Sequence, residues 1–241
     1  MGARKSTGAE RSRLLSVFHS LLAAYGPQRW WPAETPFEVM VGAILTQNTA
    51  WTNVERAIAR LKGHVPADAE AIAGLPTESL AELLRPAGYF NVKARRLQRF
   101  CAAYLAAGGA EGLSAMETGA LRGWLLAVHG VGPETADDIL LYAFERPVFV
   151  VDAYTRRIFA RLGCLRGEEG YEALRRTFEA VLDPDVALFN EYHALIVLHG
   201  KGVCRARPSC DACCLRGSCP YPDASGPKAR PVRPRLSGPR R

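Results

Sequence analysis

The sequence has no apolar run approaching the roughly 18 residues that a membrane-spanning helix needs. Its first ten residues, Met1 to Glu10, also lack the apolar stretch of a secretory signal. These absences predict a cytoplasmic protein with no membrane partner. Strand signals are nearly absent. Val148-Phe149-Val150-Val151 is the one stretch that reads as a strand, and by itself it builds no sheet, so a buried extended link is expected there. No repeat of fixed period occurs. Acids are missing from residues 224 to 241, where Lys228, Arg230, Arg233, Arg235, Arg240 and Arg241 account for six of the seven net positive charges of the 241-residue chain. The body is thus close to neutral, and anion binding there must come from local arrangement. Residues 222–241 are expected to be a disordered basic tail suited to loose phosphate contact.

What is present is ordinary for a folded protein: 48% hydrophobic and 23% charged residues, in a chain long enough to bury a large core. Leu14, Leu15, Phe18, Leu21, Leu22 and Tyr25 recur at the helical period until Gly26-Pro27 stops them. Similar patterns occupy 37–45, 51–61, 80–84, 94–107, 121–128, 136–144, 154–162, 174–182 and 186–198, with Gly and Pro between nearly all of them. The fold class is all-α.

Five of the seven cysteines lie between Cys204 and Cys219. An odd total with no export signal disfavours a disulfide framework. Cys204, Cys210, Cys213 and Cys219 form C-x5-C-x2-C-x5-C, which lets one loop wrap a 4Fe-4S cluster. A four-thiolate zinc site is the rival, although zinc ribbons usually pair two C-x2-C knuckles and only one occurs here. Cys213 and Cys214 are adjacent, and one of them suffices. Cys101 and Cys164, on apolar helical faces, read as structural thiols.

Between two helical patterns lies Val128-His129-Gly130-Val131-Gly132-Pro133. Two glycines permit a tight turn, Pro133 suits the first position of the next helix, and amides at that helix start can donate to a phosphate. Alone, such a turn more often merely joins helices. Asp152 closes the extended link and opens the next helix. The plain reading is an N-cap, and one carboxylate can be cap and catalyst at once.

Taken with Ile44-Leu45-Thr46-Gln47-Asn48-Thr49, Gly88-Tyr89-Phe90-Asn91-Val92-Lys93-Ala94, Thr135-Ala136, Val151-Asp152 and His199-Gly200-Lys201, these pieces resemble the helix-hairpin-helix DNA glycosylases of the endonuclease III superfamily over about residues 14 to 220. The resemblance implies two helical lobes with DNA in the cleft between them. One is a six-helix barrel with the hairpin, residues 29–145. The other joins the N-terminal helix, 1–28, to a cluster lobe, 146–221, with its 4Fe-4S loop. It also implies a base excision repair enzyme, a monomer associated with the nucleoid, acting on double-stranded DNA with a damaged base. Bifunctional members carry a lysine two residues after the hairpin's last glycine, the amine that attacks the sugar and forms an imine. Here that position is Glu134. Asp152 falls on the family's catalytic carboxylate. Trp30-Trp31-Pro32 and Gln47-Asn48-Thr49-Ala50-Trp51 look most like the 3-methyladenine glycosylase branch, which also lacks the lysine. The first cysteine spacing is one residue shorter than the usual family spacing, and Cys214 stands where a proline commonly follows the third ligand.

The resemblance assigns Gly130 and Gly132 to phosphate binding and Gln47 and Asn48 to the hole that an extruded base leaves, with helix capping as the alternative for those two. Trp30, Trp31 and Trp51 are candidates for an aromatic wall against a cationic base, core packing competing for at least one. Glu134 is either a second carboxylate near Asp152 or a first-turn acid complementing its helix dipole. Lys201 and Arg205 are candidate phosphate contacts, and Lys93 and Arg95 a solvated helix face. The expected activity is hydrolysis of the N-glycosidic bond of an alkylated base without strand cleavage. The competing readings are a bifunctional glycosylase and abasic-site lyase acting on oxidised pyrimidines, or a weakly active damage-binding protein.

Overall fold

The computed structural model describes residues 8–28, 30 and 33–221. Among them are twelve α-helices and no strand: α1 (Gly8–Tyr25), α2 (Pro36–Leu45), α3 (Trp51–Lys62), α4 (Ala69–Gly74), α5 (Thr77–Leu83), α6 (Phe90–Ala106), α7 (Gly109–Ser114), α8 (Thr118–Ala127), α9 (Pro133–Ala143), α10 (Ala153–Arg161), α11 (Tyr171–Leu182) and α12 (Val186–Gly202). The all-α expectation holds. Ten of these helices were legible as periodic segments. The other two, α4 and α7, have six residues each, too few turns to display an apolar stripe.

The chain divides into two units: residues 1–28, 151–170 and 192–241, and residues 29–150 and 171–191. The basic tail expected at 222–241 lies outside the described residues.

In the unit formed by 29–150 and 171–191, α2 is apolar on every side and buried from Val39 to Leu45, as a central helix must be. Its start is set by Thr35, whose hydroxyl accepts from the Glu38 amide at 3.1 Å, with Pro36 at the first helical position. Around it α3, α5, α6, α8 and α9 contribute Val54, Leu80, Leu97, Phe100, Leu125 and Ile139 to one core. Phe149 of the link stacks on Phe178 at 4.3 Å, and with no ladder available its amide donates to the Glu179 carboxylate at 3.0 Å. Fully buried Asp137 is met by a two-pronged Arg122 guanidinium at 2.6 and 3.0 Å, which also reaches Glu172 at 2.6 Å.

In the other unit, Tyr192 of α12 is fully buried, donates its hydroxyl to the Leu14 carbonyl at 2.7 Å, and sets its ring edge-on to Phe18 and Phe159. This one side chain ties α1, α10 and α12 together. The cysteine loop follows α12 as two short 3-10 turns, Cys210–Ala212 and Arg216–Ser218.

Candidate functional site

The first local arrangement is the hairpin between α8 and α9. Gly130 has φ +99°, and a Cβ there would fall 2.6 Å from Cγ of Arg96, so glycine is demanded twice over. Gly132 caps α9 and has open space where a Cβ would stand. Packing does not require glycine at that position, and a close-approaching group has room there. The hairpin is held by Gln47. Its amide donates to the Gly130 carbonyl at 3.0 Å and to the Thr135 hydroxyl at 3.0 Å, and its oxygen accepts from Arg96. Gln47 is therefore a half-buried brace of the turn, and its neighbour Asn48 stands exposed with φ +56°. Glu134 is exposed in the first turn of α9.

Lys93 corrects the expectation of a solvated face. It is 2% exposed, and its Nζ donates to the Ala87 carbonyl at 2.7 Å. Burial, with Arg96 nearby, pushes its pKa down to about 8. Arg95 is exposed, as expected. Trp51 is half-buried and packs against the core, Trp30 is half-buried, and Trp31 lies outside the described residues.

The second arrangement is at the head of α10. Asp152 is the N-cap, with Oδ1 accepting from the Thr155 amide at 2.6 Å and the Thr155 hydroxyl at 2.8 Å. Its other oxygen, Oδ2, lies 3.8 Å from Nε2 of His193, a residue of α12. Both side chains are buried. Burial works to raise the Asp152 carboxyl, but His193 and the Thr155 donors outweigh it and hold the group below the usual range. The carboxylate is ionised at neutral pH.

The third is the cysteine loop. Cys204, Cys210, Cys213 and Cys219 line one cavity of about 40 Å³ together with Arg161 and Arg216, whereas Cys214 is exposed and does not line it. Among the described residues, no three His, Cys, Asp or Glu side chains form a group that could hold a single metal ion. Arg161 donates to Cys204 Sγ at 3.2 Å and to the carbonyls of Arg205 and Ala206, while Arg157 donates to the carbonyls of Cys204 and Gly200 at 2.8 Å. Fully buried His199 is 2.7 Å from the Tyr25 hydroxyl through Nδ1, and its Nε2 lies 3.6 Å from Cys213 Sγ. Burial pushes the His199 pKa down to about 4, so the ring is neutral. Lys201 and Arg205 are exposed beside the loop. Cys101, in the core of the other unit, is a fully buried thiol pushed up to about 12 by burial, consistent with a structural role.

Residues 41–184, more than half of the chain, match the family of HhH-GPD superfamily base excision DNA repair proteins. The chain belongs to the HhH-GPD superfamily. A candidate DNA repair glycosylase of Methanocaldococcus jannaschii is 46% identical over 209 residues, spanning 86% of this chain and 95% of that protein. An endonuclease III of Synechocystis is 30% identical, covering 80% and 84% of the two chains. Among solved structures, a non-covalent endonuclease III–DNA complex aligns with a TM-score of 0.76 at 22% identity, over 88% and 95% of the two chains, a likeness of fold. The 3-methyladenine DNA glycosylase of H. pylori bound to 1,N6-ethenoadenine aligns with a TM-score of 0.67 at 30% identity, over 81% and 97%.

In this HhH-GPD chain the structure adds residues that sequence reasoning did not single out. Tyr89, 73% exposed with φ +48°, is an aromatic ring offered to solvent from a left-handed backbone at the start of α6. Its signal in the sequence is the Gly88-Tyr89-Phe90-Asn91 stretch, which carries part of the family resemblance. His193 and Arg161 carried no local signal, because their partners come from distant segments.

Proposed function

We propose that this chain is a monofunctional DNA glycosylase of base excision repair, acting as a monomer to hydrolyse the N-glycosidic bond of an alkylated base in double-stranded DNA. The observation that carries this reading is Asp152, a buried carboxylate held ionised with one oxygen committed to Thr155. It stands in a chain whose hairpin helix carries Glu134 where the family resemblance puts the lysine of bifunctional members. The relatives named above as glycosylases support it.

The damaged nucleotide is extruded, at a cost of a few kcal/mol that is smallest for a damaged or mispaired base. Gly130 and Gly132 amides hold a phosphate of the strand without reading sequence. Asn48, exposed and left-handed, fills the hole, and Gln47 keeps the hairpin in shape. Lys201 adds a phosphate contact, and Trp30, Trp31 and Trp51 supply the aromatic surface for a cationic base. As the C1′–N bond breaks, its electron pair leaves with the base and positive charge develops on the sugar. Asp152 stabilises that charge through Oδ2. Water then adds to C1′ and gives up its proton to the Asp152 carboxylate. An alkylated purine already carries positive charge and departs neutral, so no general acid is required. Glu134 has no amine and forms no imine with the sugar.

The residues suit a 4Fe-4S cluster. Four soft thiol donors line one cavity with arginines at its wall, and thiolates are the ligands that such a cluster takes. Cys204, Cys210, Cys213 and Cys219 would hold it. When bound it would supply a rigid anchor for the loop that carries Arg205 and follows Lys201 at the end of α12, and no step of the hydrolysis passes through it.

The decisive assay incubates the purified protein with duplex DNA treated with dimethyl sulfate, then measures released bases and strand breaks separately. Free alkylated purine without breaks is expected, with release abolished and DNA affinity kept in Asp152→Asn. Breaks that accompany release, or an Asp152→Asn variant as active as the parent, overturn the reading.

A further inference from the structure

The two oxygens of Asp152 are treated differently by the fold. Oδ1 takes both donors of Thr155, at 2.6 and 2.8 Å, which spends it on capping α10. Oδ2 is left for chemistry, and the group that faces it is Nε2 of His193 at 3.8 Å. That separation is within ion-pair range for a protonated imidazole and longer than a direct hydrogen bond, which a small shift of either side chain would close. His193 is itself 6% exposed, on a helix anchored one residue earlier by fully buried Tyr192. An imidazole in that place has little conformational freedom, and it confronts the one carboxylate that the hydrolysis needs.

We propose that His193 is a positioning residue for base excision, holding Asp152 charged and its Oδ2 aimed while Thr155 occupies Oδ1. The inference rests on the reading of Asp152 as the reacting carboxylate. Removing the imidazole leaves burial to act on the carboxyl with only the Thr155 donors opposing it, so the carboxyl must take up a proton at higher pH. The titratable groups that bear on Asp152 are His193 from α12 and Tyr154 from α10. The Tyr154 hydroxyl is raised by burial and by Asp152, and Arg157 lies over its ring, so it stays neutral throughout the range concerned.

The test uses the full-length holoprotein with His193→Leu, and with His193→Gln, whose amide restores a donor near the place of Nε2. The Asp152 carboxyl is titrated by 13C NMR, its resonance assigned by its loss in Asp152→Asn, and base release from dimethyl-sulfate-treated duplex is followed from pH 5 to 9. In His193→Leu the carboxyl should titrate at higher pH and the acid limb of the rate profile should move with it, about tenfold in rate for each unit on that limb. The rate should converge on that of the parent at the alkaline end, with DNA affinity unchanged, and His193→Gln should recover most of the loss. An Asp152 titration and rate profile unmoved in both folded variants overturn the proposal, as does a uniform loss of rate at every pH, which is what a structural role alone would give. If His193→Leu fails to fold, His193→Gln decides: a parent-like Asp152 titration supports the proposal, and a carboxyl raised despite the restored donor overturns it. Failure of the underlying reading looks different, because Asp152→Asn would then release bases as the parent does while the NMR titration still reports whether His193 controls the carboxyl.

Discussion

Gln47 and Gly130, 83 residues apart in sequence, are joined by a 3.0 Å hydrogen bond from the side-chain amide of the first to the carbonyl of the second. The same amide reaches Thr135, so one side chain spans both ends of the turn. Gln47→Ala should lose roughly 1–2 kcal/mol of stability, the range for hydrogen bonds whose partners stay part-buried. It should also weaken binding to undamaged duplex, because the hairpin amides proposed to hold a phosphate are no longer kept in place. Thermal unfolding and a fluorescence-anisotropy titration check the two effects, and a variant as stable and as tightly binding as the parent contradicts this role.

The buried Arg122–Asp137 pair makes a second prediction. Truncating Arg122 to Ala strips the buried Asp137 carboxyl of its two-pronged partner and leaves it Tyr171 and Arg175, the latter 3.8 Å away, and loss of one partner of a buried pair costs about 3–5 kcal/mol. Arg122→Ala should lower the unfolding temperature far more than Arg85→Ala, whose pair with Glu82 is largely exposed. Equal shifts in the two variants would argue against a structural role for the network.

Lys93 gives a prediction in pH. Its folded pKa is lowered to about 8 from the usual 10.5, so between those values the unfolded chain binds the proton and the folded chain does not. This contribution to stability is complete above the unfolded value and is lost as pH falls through about 8. Denaturant midpoints should therefore show a rising component between pH 8 and 10.5 that Lys93→Met removes. Identical pH dependence in parent and variant would refute the shift.

The cavity makes a distinction among cysteines that sequence left open. Cys210→Ser and Cys213→Ser should lose the visible absorbance, iron and sulfide of the purified protein, and Cys214→Ser should keep them. Stoichiometric zinc without iron in the parent would replace the cluster reading with the tetrathiolate one.

Glu134 can be tested by restoring the amine. Glu134→Lys should yield a borohydride-trapped adduct with abasic DNA that the parent does not form. Trapping by the parent itself would assign the lyase chemistry to another amine.

Much of this was visible in the chain as written. Ten helices announced themselves through apolar spacing, and Asp152 stood out as the cap of one of them, because capping and periodicity are local properties. The placement of Gln47 under the hairpin, the burial of Lys93 and the approach of His193 to Asp152 depend on segments far apart in sequence. Lys93 misled because a lysine at the head of a helix usually meets water, whereas here Ala87 offers it a carbonyl inside. Tyr89 escaped notice since exposure and a left-handed φ are consequences of the folded turn.

Two helices lead away from Asp152 and His193 toward the cysteines. α10 carries Arg157 and ends in Arg161, both of which grip the loop, and α12 carries His193 and, six residues or about 9 Å further along, His199 beside Cys213. They act as a pair of struts, so a displacement of the loop would withdraw the scaffolding behind the carboxylate without touching it.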